Sequence, residues 1–174
     1  MTNAEAAKIV RTVLCRGLTF EQTEQIFKAM VAVNVEAGAV LYHEHEKSKG
    51  LFVLLEGAVE VLKRAPGGDD RRIATVEAPT VVGEMSLLTD RPHSATVRAL
   101  VPCEGRLLTR AQFDRMLQGE NLAAYKIVLT LADVIARRLN KMDEKVLELT
   151  RQAGAAPRVE ELADYKQKLF SEWI

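Results

Sequence analysis

Charge of one sign is missing: Lys and Arg number 24 and Asp and Glu number 24, so the formal net charge over 174 residues is zero. A chain without a cationic surplus lacks the field that drives sequence-independent binding to nucleic acid. Cysteine is scarce. Cys15 and Cys103 lie far apart, form no metal-type spacing, and read as reduced thiols of a cytoplasmic protein. Long hydrophobic runs are absent as well. The longest, Leu51 to Leu55, is far too short to cross a bilayer. Glu5, Lys8 and Arg11 occupy the stretch where a signal peptide needs an apolar block, so no export signal is expected. There is no Gly-x-Ser-x-Gly elbow and no Cys/His pair, and no enzyme is expected.

What is present is ordinary for one globular domain with helical extensions: 48% apolar and 28% charged residues. The period of the pattern changes twice along the chain. Residues 1–30 are helical, with Ile9, Val10, Val13 and Leu14 forming a stripe that stops at Gly17. Thr19 and Gln22 make a capping box for a second helix carrying Ile26, Phe27 and Met30. From Val31 to Leu108 the period falls towards two. Eight strands are expected there: Val31–Val35, Ala39–His43, Leu51–Leu55, Val59–Lys63, Arg72–Val76, Thr80–Val82, Ala95–Leu100 and Glu104–Leu108. The turn Pro66-Gly67-Gly68-Asp69-Asp70 and further Gly and Pro residues separate them. Within 82–97, Glu84 to Leu88 alternates too little for a strand and reads as a short helix. The expected fold is α+β, mainly β: an eight-stranded antiparallel roll over 31–119, jelly-roll-like, flanked by helices.

Thr109 and Gln112 form a second capping box, and a long helix follows over 120–152. Tyr125, Val128, Ala132, Ile135, Leu139, Met142, Val146 and Leu149 recur at alternating intervals of three and four. This unbroken heptad series predicts a parallel homodimer, with Arg138 and Asp143 spaced for an interhelical ion pair. Leu129, Leu131 and Ala136 widen the apolar face where the helix also packs on its own domain. Residues 153–174 begin with a breaker, Ala153 to Pro157, and continue as an amphipathic segment with Leu162, Leu169, Phe170 and Trp173.

The chemistry-bearing stretch is 82–97. Gly83 permits close approach of backbone to a ligand, and the amides of the short helix after it suit an anion. Glu84 places a carboxylate where sugar hydroxyls could donate, and Arg91, His93 and Ser94 follow in a polar turn. Such a set suits a sugar phosphate; the spacing is equally that of a structural loop.

The stretch resembles the phosphate-binding cassette of the cyclic nucleotide-binding domain, as found in the Crp/Fnr regulators. The match lies in Gly83-Glu84, a short apolar helix, and Pro92-His93-Ser94-Ala95-Thr96-Val97. Gly38, the segment Leu51 to Val61, Ala99, and Ala136 to Leu139 with Glu144 to Val146 support it. The resemblance implies that Glu84 accepts from the ribose 2′-hydroxyl and that Gly83 and Met85 border the sugar. It implies that Arg91, His93, Ser94 and Ala95 border the cyclic phosphate, and that the long helix, through Arg138, Met142 and Asp143, closes over the base. The ligand would be cAMP, cGMP or a cyclic dinucleotide, with no cofactor and no metal. The output would be a contact with another signalling protein. No DNA and no membrane partner is expected, because a helix-turn-helix after the long helix is missing from these 174 residues.

Three departures stand out. His93 occupies the family's arginine position, so the permanent charge and bidentate fork are lost. On that reading His93→Arg restores the clamp, and acid strengthens binding by charging the imidazole. His45 and Thr80 stand at family glycines, and Met142 and Asp143 replace a pair of base-contacting hydroxyls. A degenerate scaffold that acts only through protein contacts is the alternative. A third reading is a cupin-like metal enzyme built on His43-Glu44-His45-Glu46, with both histidines on one strand face.

Overall fold

The computed structural model describes residues 1–152, apart from the side chains of Leu149, Thr150 and Gln152. The expected linker and amphipathic segment over 153–174 lie outside the described residues. The chain divides into two units, Met1–Asp133 and the segment from Val134 onward.

The first unit opens with α1 (Asn3–Val13) and α2 (Phe20–Ala29). Thr2 and Glu5 form a reciprocal capping box at the start of α1, a signal the sequence reading passed over. The expected box of Thr19 and Gln22 starts α2. Ala6, Val10 and Leu14, each four residues on from the last, turn the buried stripe of α1 inward. The helix ends before Gly17, because Leu14 already caps it.

Eight antiparallel strands follow: β1 (Val31–Val35), β2 (Val40–Tyr42), β3 (Gly50–Glu56), β4 (Ala58–Arg64), β5 (Asp70–Glu77), β6 (Thr80–Val82), β7 (Thr96–Ala99) and β8 (Cys103–Thr109). They form two four-stranded sheets, ordered β1-β8-β3-β6 and β2-β7-β4-β5. This is the expected jelly-roll arrangement, with every strand found: β1 and β6 have the expected ends, and the other six have ends moved by one or two residues. Pairing explains the larger shifts. β5 grows because Asp70 to Glu77 lies opposite Arg64 to Ala58 across the turn of residues 65–69. β2 shrinks because its register against β7 breaks between Val40 and Tyr42.

Tyr42, Phe52, Leu54, Val59, Val82, Val97, Ala99 and Cys103 fill the space between the sheets. β3 reads as a continuous apolar run because both of its faces are covered. Phe52 and Leu54 face that core, while Leu51, Val53 and Leu55 alternate to the other side, where α1 and α4 pack. Cys15 and Cys103 are both buried free thiols.

Between β6 and β7 lies α3 (Glu84–Thr89), the expected short helix. After β8 come α4 (Arg110–Gln118), started by the Thr109–Gln112 box, and α5 (Leu122–Gln152). In the first unit, α5 buries Ala123, Ala124, Ile127, Thr130 and Leu131. Leu131 therefore packs on the domain as expected, but Leu129 does not: it is 70% exposed, on the same side as exposed Tyr125. In the second unit, Leu139, Met142 and Val146 are exposed. No helix among the described residues is long and apolar enough to cross a membrane.

Candidate ligand site in the 82–97 cassette

The cassette begins where β6 ends. Gly83 has φ 88°, in the left-handed region, and caps α3. A Cβ there would lie 2.7 Å from the Gly50 carbonyl oxygen and 3.0 Å from the Tyr42 ring. Glycine is therefore required on two counts, conformation and space. Glu84 follows directly and is buried. With six residues, α3 sums only a small dipole, so the anion site expected at its start has amides but little field. The turn reverses at Asp90, also left-handed at φ 55°, whose carboxylate is 3.0 Å from Arg110 Nη1.

His93 is placed otherwise than expected. It is only 4% exposed. Its ring stacks on Tyr42 with centroids 4.0 Å apart and planes 16° apart. Nε2 accepts from the Lys49 amide at 3.4 Å, and Nδ1 lies 3.1 Å from Ser86 Oγ. An amide can only donate, so Nε2 is bare, and Nδ1 carries the proton and donates to Ser86. The main chain of His93 is tied as well: its amide donates to the Glu46 carbonyl at 2.9 Å, and its carbonyl accepts from the His45 amide at 2.8 Å. Burial lowers the pKa of the ring, with Glu46 opposing and Lys49 reinforcing. The imidazole is thus a neutral part of the wall, with both nitrogens already used.

Ser86 completes the network. Its hydroxyl donates to the Gly83 carbonyl at 3.1 Å and accepts from Ser48 Oγ at 3.1 Å. Tyr42 donates to the Gly50 carbonyl at 3.0 Å. Burial, with the charge of Glu84 adding to it, raises the Tyr42 pKa and keeps the phenol neutral. The sequence reading missed Tyr42, Ser48, Lys49 and Ser86. The available signal was Ser86, a hydroxyl in an otherwise apolar helix segment.

The other expected residues are spread around the turn. Arg91 and Ser94 are exposed and Met85 is half exposed, while Ala95 is buried. Ser94 Oγ lies 3.8 Å from Met85 Sδ, and the Ser94 carbonyl accepts from Lys63 Nζ at 2.6 Å. Arg91 has no ion pair with another described residue. Arg138, Met142 and Asp143 all lie on α5 in the second unit. His45 has φ 66°, a left-handed backbone that favours glycine. Its ring is directed to Glu44, 3.7 Å away. Among the described residues no three His, Cys, Asp or Glu side chains are grouped to share a metal ion.

Comparison with known proteins bears on the fold and its family. The family model described as the cyclic nucleotide-binding domain matches residues 32–120, just over half of the chain. The cAMP-activated global transcriptional regulator CRP of Salmonella typhimurium is 28% identical over 109 residues, which are 62% of this chain and 50% of that one. Lysophospholipase nte1 of Neosartorya fischeri is 25% identical over 117 residues, 67% of this chain but 7% of that protein. The chain thus spans half or less of these curated relatives. Among solved structures, a cyclic nucleotide-binding domain from Methylobacillus flagellatus superposes with a TM-score of 0.75 at 24% identity, covering 85% of this chain and 84% of that one. The regulatory domain of Toxoplasma gondii PKA with cAMP gives 0.60 at 24% identity, covering 65% and 43%. These two show the fold alone. Taken with the family match over the roll and its cassette, they lead to one conclusion: the chain belongs to the cyclic nucleotide-binding domain family.

Proposed function

We propose that this chain is a cyclic nucleotide sensor that dimerises through α5 and passes its state to another protein. The observation that carries the reading is Gly83 followed by Glu84. The Gly50 carbonyl and the Tyr42 ring leave room only for glycine at this left-handed turn, and a carboxylate stands next in the chain. The solved relative from Toxoplasma gondii holds cAMP in this fold. A cyclic purine mononucleotide or a cyclic dinucleotide is the ligand class, with Glu84 on the ribose and Arg91 and the backbone at Ser94 and Ala95 on the phosphate. Arg138, Met142 and Asp143 on α5 would meet the base.

The dimer reading rests on the apolar heptad of α5. Tyr125, Leu139 and Met142 are exposed at heptad positions, as seam residues of a coiled coil are in a single chain. A cytoplasmic adaptor role without catalysis follows from the same reading. The test is calorimetry of the full chain with cAMP, cGMP, cyclic di-GMP and cyclic GMP-AMP. Saturable binding of at least one supports the sensor.

One observation favours a second reading. His93, which would be the phosphate arginine, is spent inside the wall. A scaffold that keeps the roll and the helix for protein contacts alone would bind none of the four ligands.

A further inference from the structure

We infer that His93 is the positioning residue of the cassette, that it holds the Gly83–Glu84 turn only as a neutral imidazole, and that protonation loosens the turn and weakens the site. The inference rests on the reading of 82–97 as a ligand site and goes beyond it by naming how that site is regulated.

Four bonds converge on this residue from two segments. The loop between β2 and β3 contributes the His45 amide, the Glu46 carbonyl and the Lys49 amide. The cassette helix contributes Ser86 Oγ. Ser86 in turn donates to the Gly83 carbonyl, which also accepts the first helical bond of α3, from the Leu87 amide at 3.2 Å. The protonation state of His93 is therefore two hydrogen bonds from the residue that must sit close to the ligand. Serine, imidazole and amide donate in one direction only: Lys49 to Nε2, Nδ1 to Ser86, Ser86 to Gly83. A proton on Nε2 sets donor against donor at the Lys49 amide and breaks that chain.

The groups around the ring do not rescue the charged form. Tyr42 of β2 stacks on it as a neutral phenol. Glu46 would favour an imidazolium, but its carboxylate is already held by Lys49 Nζ at 2.9 Å. Lys49 itself opposes the charge. Arg110 of α4 caps the far side of α3, donating to the Ser86 and Leu87 carbonyls at 3.5 and 3.3 Å, with Asp90 as its partner. Glu84 acts through its charge on Tyr42. The His45 ring points away towards Glu44. Burial is the largest influence and favours neutrality. An arginine at 93 could not accept from the Lys49 amide, so His93→Arg removes the latch rather than restoring a clamp.

The test has two arms on the full chain. Nitrogen and carbon NMR of the imidazole, without ligand, should show the Nδ1–H tautomer titrating below the ordinary value of about 6.5. The Lys49 amide resonance should shift with the same midpoint. Ser86→Ala, which takes away the acceptor that the Nδ1–H of an imidazolium would use still more strongly, should lower that midpoint further. An Nε2–H tautomer, or a midpoint at or above the ordinary value, overturns the latch whether or not any nucleotide binds. The second arm titrates cAMP at about pH 7.5 and about pH 5.5, on either side of the ordinary histidine range. Wild-type affinity should fall at least roughly threefold in acid, and His93→Gln, which keeps an acceptor for Lys49 but cannot titrate, should lose that dependence. Affinity that rises in acid, or a fall that persists in His93→Gln, contradicts the inference. Absence of cAMP binding at both pH values would count against the nucleotide reading and leave the NMR arm to decide the latch.

Discussion

A single hydrogen atom decides the character of residue 83. Gly83→Ala puts a methyl group against the Gly50 carbonyl and the Tyr42 ring in a left-handed backbone. A loss of about 2–4 kcal/mol is expected in urea unfolding, from crowding and conformational strain together. His45 has a left-handed backbone too but points its ring into solvent, so His45→Gly should leave the unfolding midpoint unchanged or slightly raised. His93 sets a pH dependence of stability. Its pKa is lowered in the folded chain, so the unfolded chain takes up the proton first. The contribution is complete above about pH 6.5 and is lost as pH falls below it, through the folded-state value. Urea midpoints measured across that range should drop in wild type and drop less in His93→Gln. The sequence displayed a histidine at 93 but not where its ring goes. Its direction depends on the loop of residues 43–49, whose amides become visible only when β2 ends at Tyr42 and the chain folds back.

At the level of elements, local chemistry was the readable part. The Thr19–Gln22 and Thr109–Gln112 boxes lie where their spacing puts them. Thr19→Ala and Thr109→Ala should each cost about 1 kcal/mol, read from thermal or urea unfolding. All eight strands were legible from period and punctuation: alternation marks strands with one covered face, while β3 shows as a continuous apolar run because both of its faces are covered. The faces of α5 were harder. Its docking stripe of Ala123, Ala124, Ile127 and Leu131 and its heptad series overlap in sequence, and burial alone separates them. The heptad side is left exposed, with Leu139 at 51%. Leu139→Asp should therefore leave the fold intact and convert a dimer to a monomer by light scattering, since a charge at a buried seam is costly. A wild-type mass of one chain at the same concentration would remove the coiled coil from the account.

Across the molecule, the two sheets and the cassette between β6 and β7 belong to the cyclic nucleotide-binding family, and the sequence alone was sufficient to see that. What it could not show is how the cassette is held together: Tyr42, Ser48, Lys49 and Ser86 lie between 7 and 51 residues from His93 and meet only in the folded chain. The account thus makes the Gly83–Glu84 turn, rather than a charged clamp, the centre of recognition. Calorimetric titration of the full chain with cAMP, alongside Glu84→Gln, tests this most directly. The account predicts saturable binding in wild type and a loss of at least roughly tenfold in Glu84→Gln, where a charge-assisted hydrogen bond to the ribose is removed. Equal affinity in the two proteins, or no binding by wild type to cAMP or to cGMP, cyclic di-GMP and cyclic GMP-AMP, would contradict it.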